Sequence, residues 1–265
     1  MRVIDLDFSD NNVVIIGGAG HVGKSVSSQL ITRGANLIIV DKDEVSLEGL
    51  VDNLNQRERR LIDFYACDLE SPQERNKVFS SIQKKYSELN GIVNCAAFVG
   101  DSNLPGWNVP FSQQSIETWR RAIEVNLTSI FEACQILTPS LLQASGSSVV
   151  NISSIYGEKG PRWELYEGTA MGSPAAYGVS KAGLIQLTRW LSTTLAPRVR
   201  VNSIVAGGIQ RNQPQQFVDR YCRDVPLGRM AVESDLVGPV LFLLSGMSTY
   251  ITGETLHVDG GRGVW

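Results

Sequence analysis

The chain has little of what builds metal centres or disulfide frameworks: two histidines and four cysteines in 265 residues. His21 and His257 stand near opposite ends, and Cys67, Cys95, Cys134 and Cys222 are scattered with no Cys-x-x-Cys pair. No metal-ligand spacing results, and the thiols read as reduced and structural, which fits a cytoplasmic setting. An excess of charge of one sign is also missing, since 24 Lys and Arg stand against 27 Asp and Glu for a net charge of −3. Without a basic block or stripe, nucleic acid is not expected as a partner. No apolar run approaches the roughly 18 residues of a membrane span. The longest, Pro239 to Leu244, suits a core helix instead. The opening MRVIDLDFSD carries Arg2, Asp5, Asp7 and Asp10 and has no apolar h-region, so no signal peptide is expected.

What the chain does have is glycine, 25 residues of it, in a length that suits one large α/β domain able to bury its own core. Residues 13–17, VVIIG, form a β-branched run that ends in glycine. Gly17 to Gly23 follow as GGAGHVG, and then Val22, Val26, Leu30 and Ile31 recur at helical spacing as far as Gly34. Asn36 to Asp41, NLIIVD, reads as a second buried strand. This is a strand, glycine loop, helix and strand of about 30 residues with an acid at the end, a pattern that binds dinucleotides. Small residues let the backbone approach a pyrophosphate, and the free N–H groups of the following helix attract the anion. Gly17, Gly20, His21, Val22 and Gly23 are therefore expected at the cofactor. Asp41 should accept hydrogen bonds from the adenosine ribose, and its charge disfavours a 2′-phosphate, so NAD is expected ahead of NADP. The neighbouring Lys42 works against that preference.

The alternation continues. A polar-faced helix is expected over 43–57 and a strand over 61–69. Ser71, Pro72 and Glu74 form a capping-box start to a helix running to about Tyr86. Strands follow at 91–94, 148–153, 199–205 and 256–258, with helices at about 116–144 and 233–244. Alternation of this kind gives a single-domain Rossmann fold: a doubly wound parallel sheet of about seven strands flanked by helices. Ligands bind such sheets beyond the carboxyl ends of the strands, where Gly17, Asp41, Asp68 and Asn94 lie. Residues 98–115 form a long loop, which in a compact domain points to function. Asn126, inside a helix, needs a hydrogen-bond partner, either in the core or at a site.

From Pro174 the chain reads as a helix through Leu191 that carries Tyr177 and Lys181 four residues apart. On one helix face, a cation beside a phenol favours the phenolate and makes an acid/base pair. By itself such a pair also arises by chance; its context decides. Just before it, residues 155–172 are rich in Gly, aromatic and charged residues, and 208–229 form a polar stretch expected to act as a lid.

In order along the chain stand Gly17–Gly23, Asp68-Leu69, Asn94-Cys95-Ala96-Ala97, Asn126, Asn151-Ile152-Ser153-Ser154, Tyr177-Gly178-Val179-Ser180-Lys181, Val201-Asn202-Ser203-Ile204 and Val258-Asp259-Gly260-Gly261. Over almost its full length the sequence thus resembles the short-chain dehydrogenase/reductase family, in its short single-domain branch. The resemblance implies an oxidoreductase that interconverts a secondary alcohol and a ketone. Tyr177 would be the proton donor or acceptor. Lys181 would lower the tyrosine pKa and hold the nicotinamide ribose. Ser154 would bind the substrate oxygen, and Asn126 would hold a relay water. Asp68 and Leu69 would lie by the adenine, Asn94 and Ala96 along the cofactor groove, and Ile209 at the carboxamide. Paired helices between subunits imply a homodimer or homotetramer.

The departures from the family pattern are Ile16, His21, Ala206 and the 23 positions between Ser154 and Tyr177, whose extra residues fall in 155–172. The Gly17/Gly20/Gly23 spacing also resembles NAD-retaining sugar-nucleotide epimerases and dehydratases, and a non-catalytic dinucleotide-binding protein is a further alternative. In 162–167, Arg162, Trp163, Glu164, Tyr166 and Glu167 suit a sugar or nucleotide-sugar substrate. The run YEGT…PAAYGVSKAGLIQLTRWL is similar to dehydrogenases associated with flagellin and surface-glycan modification.

Overall fold

The computed structural model describes residues 6–43, 45–46, 61–99 and 104–264. The helix expected over 43–57 lies almost entirely outside them. Strands β1 (Asn12–Ile16), β2 (Asn36–Asp41), β3 (Ile62–Ala66), β4 (Gly91–Asn94), β5 (Ser147–Ser154), β6 (Val199–Ala206) and β7 (Thr255–Val258) form one parallel sheet in the order β3-β2-β1-β4-β5-β6-β7. The order reverses between β1 and β4, which makes their carboxyl ends a switch point where doubly wound sheets bind ligands.

Side chains alternate across the strands, so each β-branched run feeds two cores. Val13, Ile15, Leu37, Ile39, Val93 and Ile204 pack on one face with α1 (His21–Ile31) and α7 (Glu233–Leu244). Val14, Ile16, Ile38, Val40, Ile92 and Val149 pack on the other. There they meet α2 (Pro72–Lys85), α4 (Ser129–Gln143) and α5 (Ala175–Leu195). The side chain of Arg200 donates to the carbonyls of Leu243, Leu244 and Ser245 at the C-terminus of α7, whose last carbonyls lack helical partners.

Several expected elements differ in detail. The strand over 61–69 stops at Ala66, and Asp68 and Leu69 lie in the turn beyond it. Ser71 caps α2 by accepting from Glu74 N at 3.3 Å, but the Glu74 carboxylate accepts from Asp68 N instead of closing the box on Ser71. The helix over 116–144 is α3 (Ile116–Ile123), one π turn at Glu124–Thr128, and then α4. The lid stretch 208–229 contains a helix, α6 (Gln215–Arg223), whose Phe217, Val218 and Tyr221 are buried.

That burial defines a third core. Ile155, Leu165 and Tyr166 of the inserted segment pack with Phe217, Val218, Tyr221, Val225 and Met230. Tyr166 and Phe217 are 5.5 Å apart centroid to centroid, and Phe217 stacks on Tyr221 at 6.0 Å.

Candidate active site

The glycine loop leaves β1 with Gly17 at φ +82°, a region that L side chains rarely adopt. A Cβ on Gly17 would lie 2.4 Å from Ala96 N, and one on Gly23 would lie 2.1 Å from Gly17 O. Gly18, which opens a Gly-x-Gly-x-x-Gly match with Gly20 and Gly23, is also confined: its Cβ would lie 2.5 Å from Ile39 Cγ2. The loop therefore lies against β2 and the turn after β4. Helix α1 opens at Gly20 with no side-chain cap and no acid in its first turn. His21 is exposed and Val22 half-buried there, so the helix end offers backbone donors to an anion.

Asp41 Oδ2 accepts from Ala19 N at 2.9 Å, tying the end of β2 to that loop. Cys67 N donates to the Asp41 carbonyl at 2.9 Å, so Asp68 and Leu69 follow directly beside it. Asn94 is placed differently from a groove-lining residue. Its side chain is buried and donates to Asn151 Oδ1 at 2.6 Å, and Asn151 donates to Thr188. The backbone beyond it is tied to β1, since Cys95 N and Ala96 N donate to Ile16 O. Ile209 sits past β6, bridged to Ala231, with its carbonyl accepting from Gln213 Nε2 at 2.8 Å. A glycine cradle against an uncapped helix end, with an acid at the next strand end, fits a nicotinamide dinucleotide.

Around the middle of the sheet, β5 ends at Ser154, and α5 brings Tyr177, Ser180 and Lys181 against it. Pro174 and Gln114 help to start α5, the latter by accepting from Ala175 N at 3.1 Å. Tyr177 packs with Phe98, Trp107, Ala122 and Ala176. Burial raises its phenol pKa, and a hydrogen bond from the Ser154 side chain and the positive Arg211 oppose this. The Lys181 ammonium, one helical turn on from Tyr177, donates to Ile152 O at 2.8 Å. Burial lowers Lys181 itself to about 8. Asn126, fully buried in the π turn, accepts from Phe98 N at 2.6 Å and donates to Phe98 O and Ser180 Oγ. Its carboxamide thus joins Phe98 to Ser180 of α5.

Three residues near Tyr177 escaped the sequence reading. A Cβ on Gly178 would meet Tyr156 O at 2.9 Å, and one on Gly157 would meet Lys181 C at 2.8 Å. The start of the insertion is thus pressed onto the α5 turn that carries Tyr177. Glycine inside a helix, which costs roughly 1 kcal/mol against alanine, was the available signal. Trp107, 1 % exposed, donates from Nε1 to Val99 O at 2.7 Å and stands edge-on to Phe98. Conversely, Arg162 and Glu164 are engaged in ion pairs, Arg162 with both Glu164 and Asp224, and Tyr166 is buried against Tyr156. Trp163 and Glu167 remain exposed.

A parallel sheet with a glycine cradle and a Ser–Tyr–Lys cluster at its carboxyl edge defines a Rossmann-type oxidoreductase. The chain belongs to the short-chain dehydrogenase/reductase family. A family model described as enoyl-(acyl carrier protein) reductase matches residues 17–262. The post-translational flagellin modification protein A of Campylobacter coli is 30% identical over 258 residues, covering 96% of this chain and 99% of that protein. A 3-oxoacyl-(acyl-carrier-protein) reductase of Thermotoga maritima is 28% identical, covering 94% of this chain and 96% of that one. A short-chain dehydrogenase of Leptospira borgpetersenii, solved with bound NAD+, superposes with a TM-score of 0.85 at 29% identity, covering 99% of this chain and 97% of that one. Among the described residues, no helix is long and apolar enough to cross a membrane.

Proposed function

We propose that this protein is an NAD-dependent oxidoreductase that interconverts a secondary alcohol and a ketone, with Tyr177 as the acid/base. The observation that carries this reading is the convergence of Ser154, Tyr177 and buried Lys181 beside the glycine cradle. The cofactor, held by the 17–23 loop, Asp41, the Asp68-Leu69 turn and Ile209, supplies the hydride acceptor or donor. Ser154 holds the substrate oxygen, and Tyr177 donates a proton to it or takes one from it. Lys181 has ammonium hydrogens beyond its bond to Ile152 O and offers them to a ribose hydroxyl. Asn126 fixes the 98–115 loop and α5 at the spacing this transfer needs. NAD is favoured because Asp41 places a negative charge where NADP would bring a phosphate.

We assign the substrate to the sugar or nucleotide-sugar class. The likeness to a protein named for flagellin modification supports this, as does the exposed Trp163 at the tip of the insertion. The bound-up Arg162 and Glu164 lend no support, so recognition would rest on the exposed Trp163 and Glu167, with Arg211, paired to Glu233 at 3.2 Å, near Tyr177. Phe131, Val179 and Trp190, each exposed on α4 or α5, support pairing of these helices in a homodimer or homotetramer.

The test is turnover of NADH or NAD+ against a panel of ketones, secondary alcohols, sugars and sugar nucleotides, with wild type and Tyr177→Phe. A positioned acid/base contributes about 10²–10⁴ in rate, and the variant is expected to lose that much. Retention within about tenfold overturns the assignment. Parallel titrations are expected to show tighter binding of NAD+ than of NADP+, with Asp41→Asn narrowing the gap.

A further inference from the structure

Arg75 on α2 is an arginine only 2 % exposed, and nothing in the proposed chemistry uses it. Each of its three guanidinium nitrogens donates a hydrogen bond. Nε donates to Glu132 at 2.6 Å, one terminal nitrogen donates to Glu124 at 2.6 Å, and the other donates to the Leu69 carbonyl at 2.5 Å. The three partners stand on different elements. Leu69 closes the turn after β3. Glu124 is the first residue of the π turn that carries Asn126, and Glu132 stands one turn beyond its end.

The spacing of the two glutamates is informative. In an uninterrupted α-helix, positions eight apart overshoot two turns by about 80°, so their side chains diverge. A π insertion absorbs one residue and leaves them about 20° short of two turns, facing the same way. In the π register both carboxylates meet one planar guanidinium. The fork thus selects that register, as a rigid donor can and a lysine cannot. In that register the Asn126 carboxamide reaches Phe98 and Ser180, three residues after Tyr177 and one before Lys181.

We propose that Arg75 is a positioning residue: it locks the π turn that aims Asn126 and links that turn to the Leu69 carbonyl beside the adenosine side of the groove. The linkage rests on the dinucleotide-binding reading; the register lock does not.

Hydrogen exchange on the full chain, with and without NADH, tests both halves. Glu124→Gln keeps the shape and loses the ion pair, and Arg75→Lys keeps the charge and loses the fork. Without ligand, either variant is expected to speed exchange of the Phe98 amide and of residues 124–129 by about tenfold or more, while β1 and α1 keep wild-type rates. Unchanged rates, or a uniform acceleration across the sheet, overturn the register lock. NADH is expected to slow exchange over both 17–23 and 124–129 in wild type, but only over 17–23 in the variants. Equal slowing of 124–129 in wild type and variants overturns the linkage. If neither NADH nor NADPH slows any segment of wild type, the dinucleotide reading and the linkage fall together, and the ligand-free rates alone decide the register lock.

Discussion

Lys181 is a buried ammonium whose bond to the Ile152 carbonyl does not replace its lost hydration, so its pKa falls to about 8. The sign of the pH effect follows. Below pH 8 both folded and unfolded chains hold the proton. Between about pH 8 and the ordinary lysine range the unfolded chain holds more protons, so the Lys181 contribution to stability rises with pH. Cys67, Cys95 and Cys134, raised to about 12 by burial, act in the opposite sense once pH passes the ordinary thiol range. The difference between wild type and Lys181→Met isolates the lysine. In denaturant titrations from pH 7 to 9.5, wild type is expected to gain on the variant as pH rises, and a flat difference contradicts the buried-charge account. Lys181→Met is expected to lose turnover while keeping its fold at pH 7, because an uncompensated buried charge is removed. The Tyr177–Lys181 pair was visible in the sequence from residue type and spacing, whereas Ser154 entered through the family resemblance. The Lys181 bond to the Ile152 carbonyl was not legible, because it depends on a strand that lies far from the helix in sequence.

The strands were legible because β-branched runs such as VVII and NLIIV have few other stable fates, and the ends of α1 and α2 were marked by glycine and by Ser71-Pro72. The π turn was hidden, since the apolar period runs unbroken through 116–144 and the extra residue is fixed by Arg75, Phe98 and Ser180 from elsewhere. Helix α6 was hidden because nine mostly polar residues carry only three buried side chains. The glycine loop allows a test at this scale. Ala at Gly17 meets both a strained φ and a backbone atom at 2.4 Å, and Ala at Gly23 meets Gly17 O at 2.1 Å. Each is expected to cost about 3 kcal/mol or more, since strained backbone alone costs roughly 1–3. Ala at Gly20 meets only Gly17 O at 3.3 Å. It is expected to lose less than about 1 kcal/mol. Yet its methyl stands at the helix end where the phosphates would lie, so the dissociation constant for NADH is expected to rise by about tenfold. Thermal unfolding and fluorescence titration separate the two effects, and a Gly20→Ala protein that binds NADH as wild type does contradicts this use of the loop.

Across the whole molecule, the insertion and the 208–229 stretch are one packed body, which sequence reading could not reveal because its contacts span about fifty residues. Arg162 and Arg262 both meet Asp224, at 2.6 and 3.3 Å. Arg220 donates to the carbonyls of Glu164 and Glu167, Gln216 donates to Gly168 O, and Glu158 pairs with His257 on β7. Asp224 is the shared partner that joins the insertion, α6 and the C-terminal turn. Arg162 is half-exposed, but the Arg262 side chain is only 8 % exposed, so Asp224→Asn is expected to cost about 1–2 kcal/mol of global stability. The third core of Leu165, Tyr166, Phe217 and Tyr221 holds the body together without them. What the ion pairs add is the seating of residues 158–168 against α6. Cleavage by a dilute protease within 158–168 is therefore expected to accelerate severalfold in Asp224→Asn. In the panel assay, KM for the accepted substrate is expected to rise while KM for NADH stays near wild type, because the cofactor loop touches none of these groups. A rise in both constants, or in neither, separates the insertion from substrate recognition and moves that role to Arg211 and the 98–115 loop.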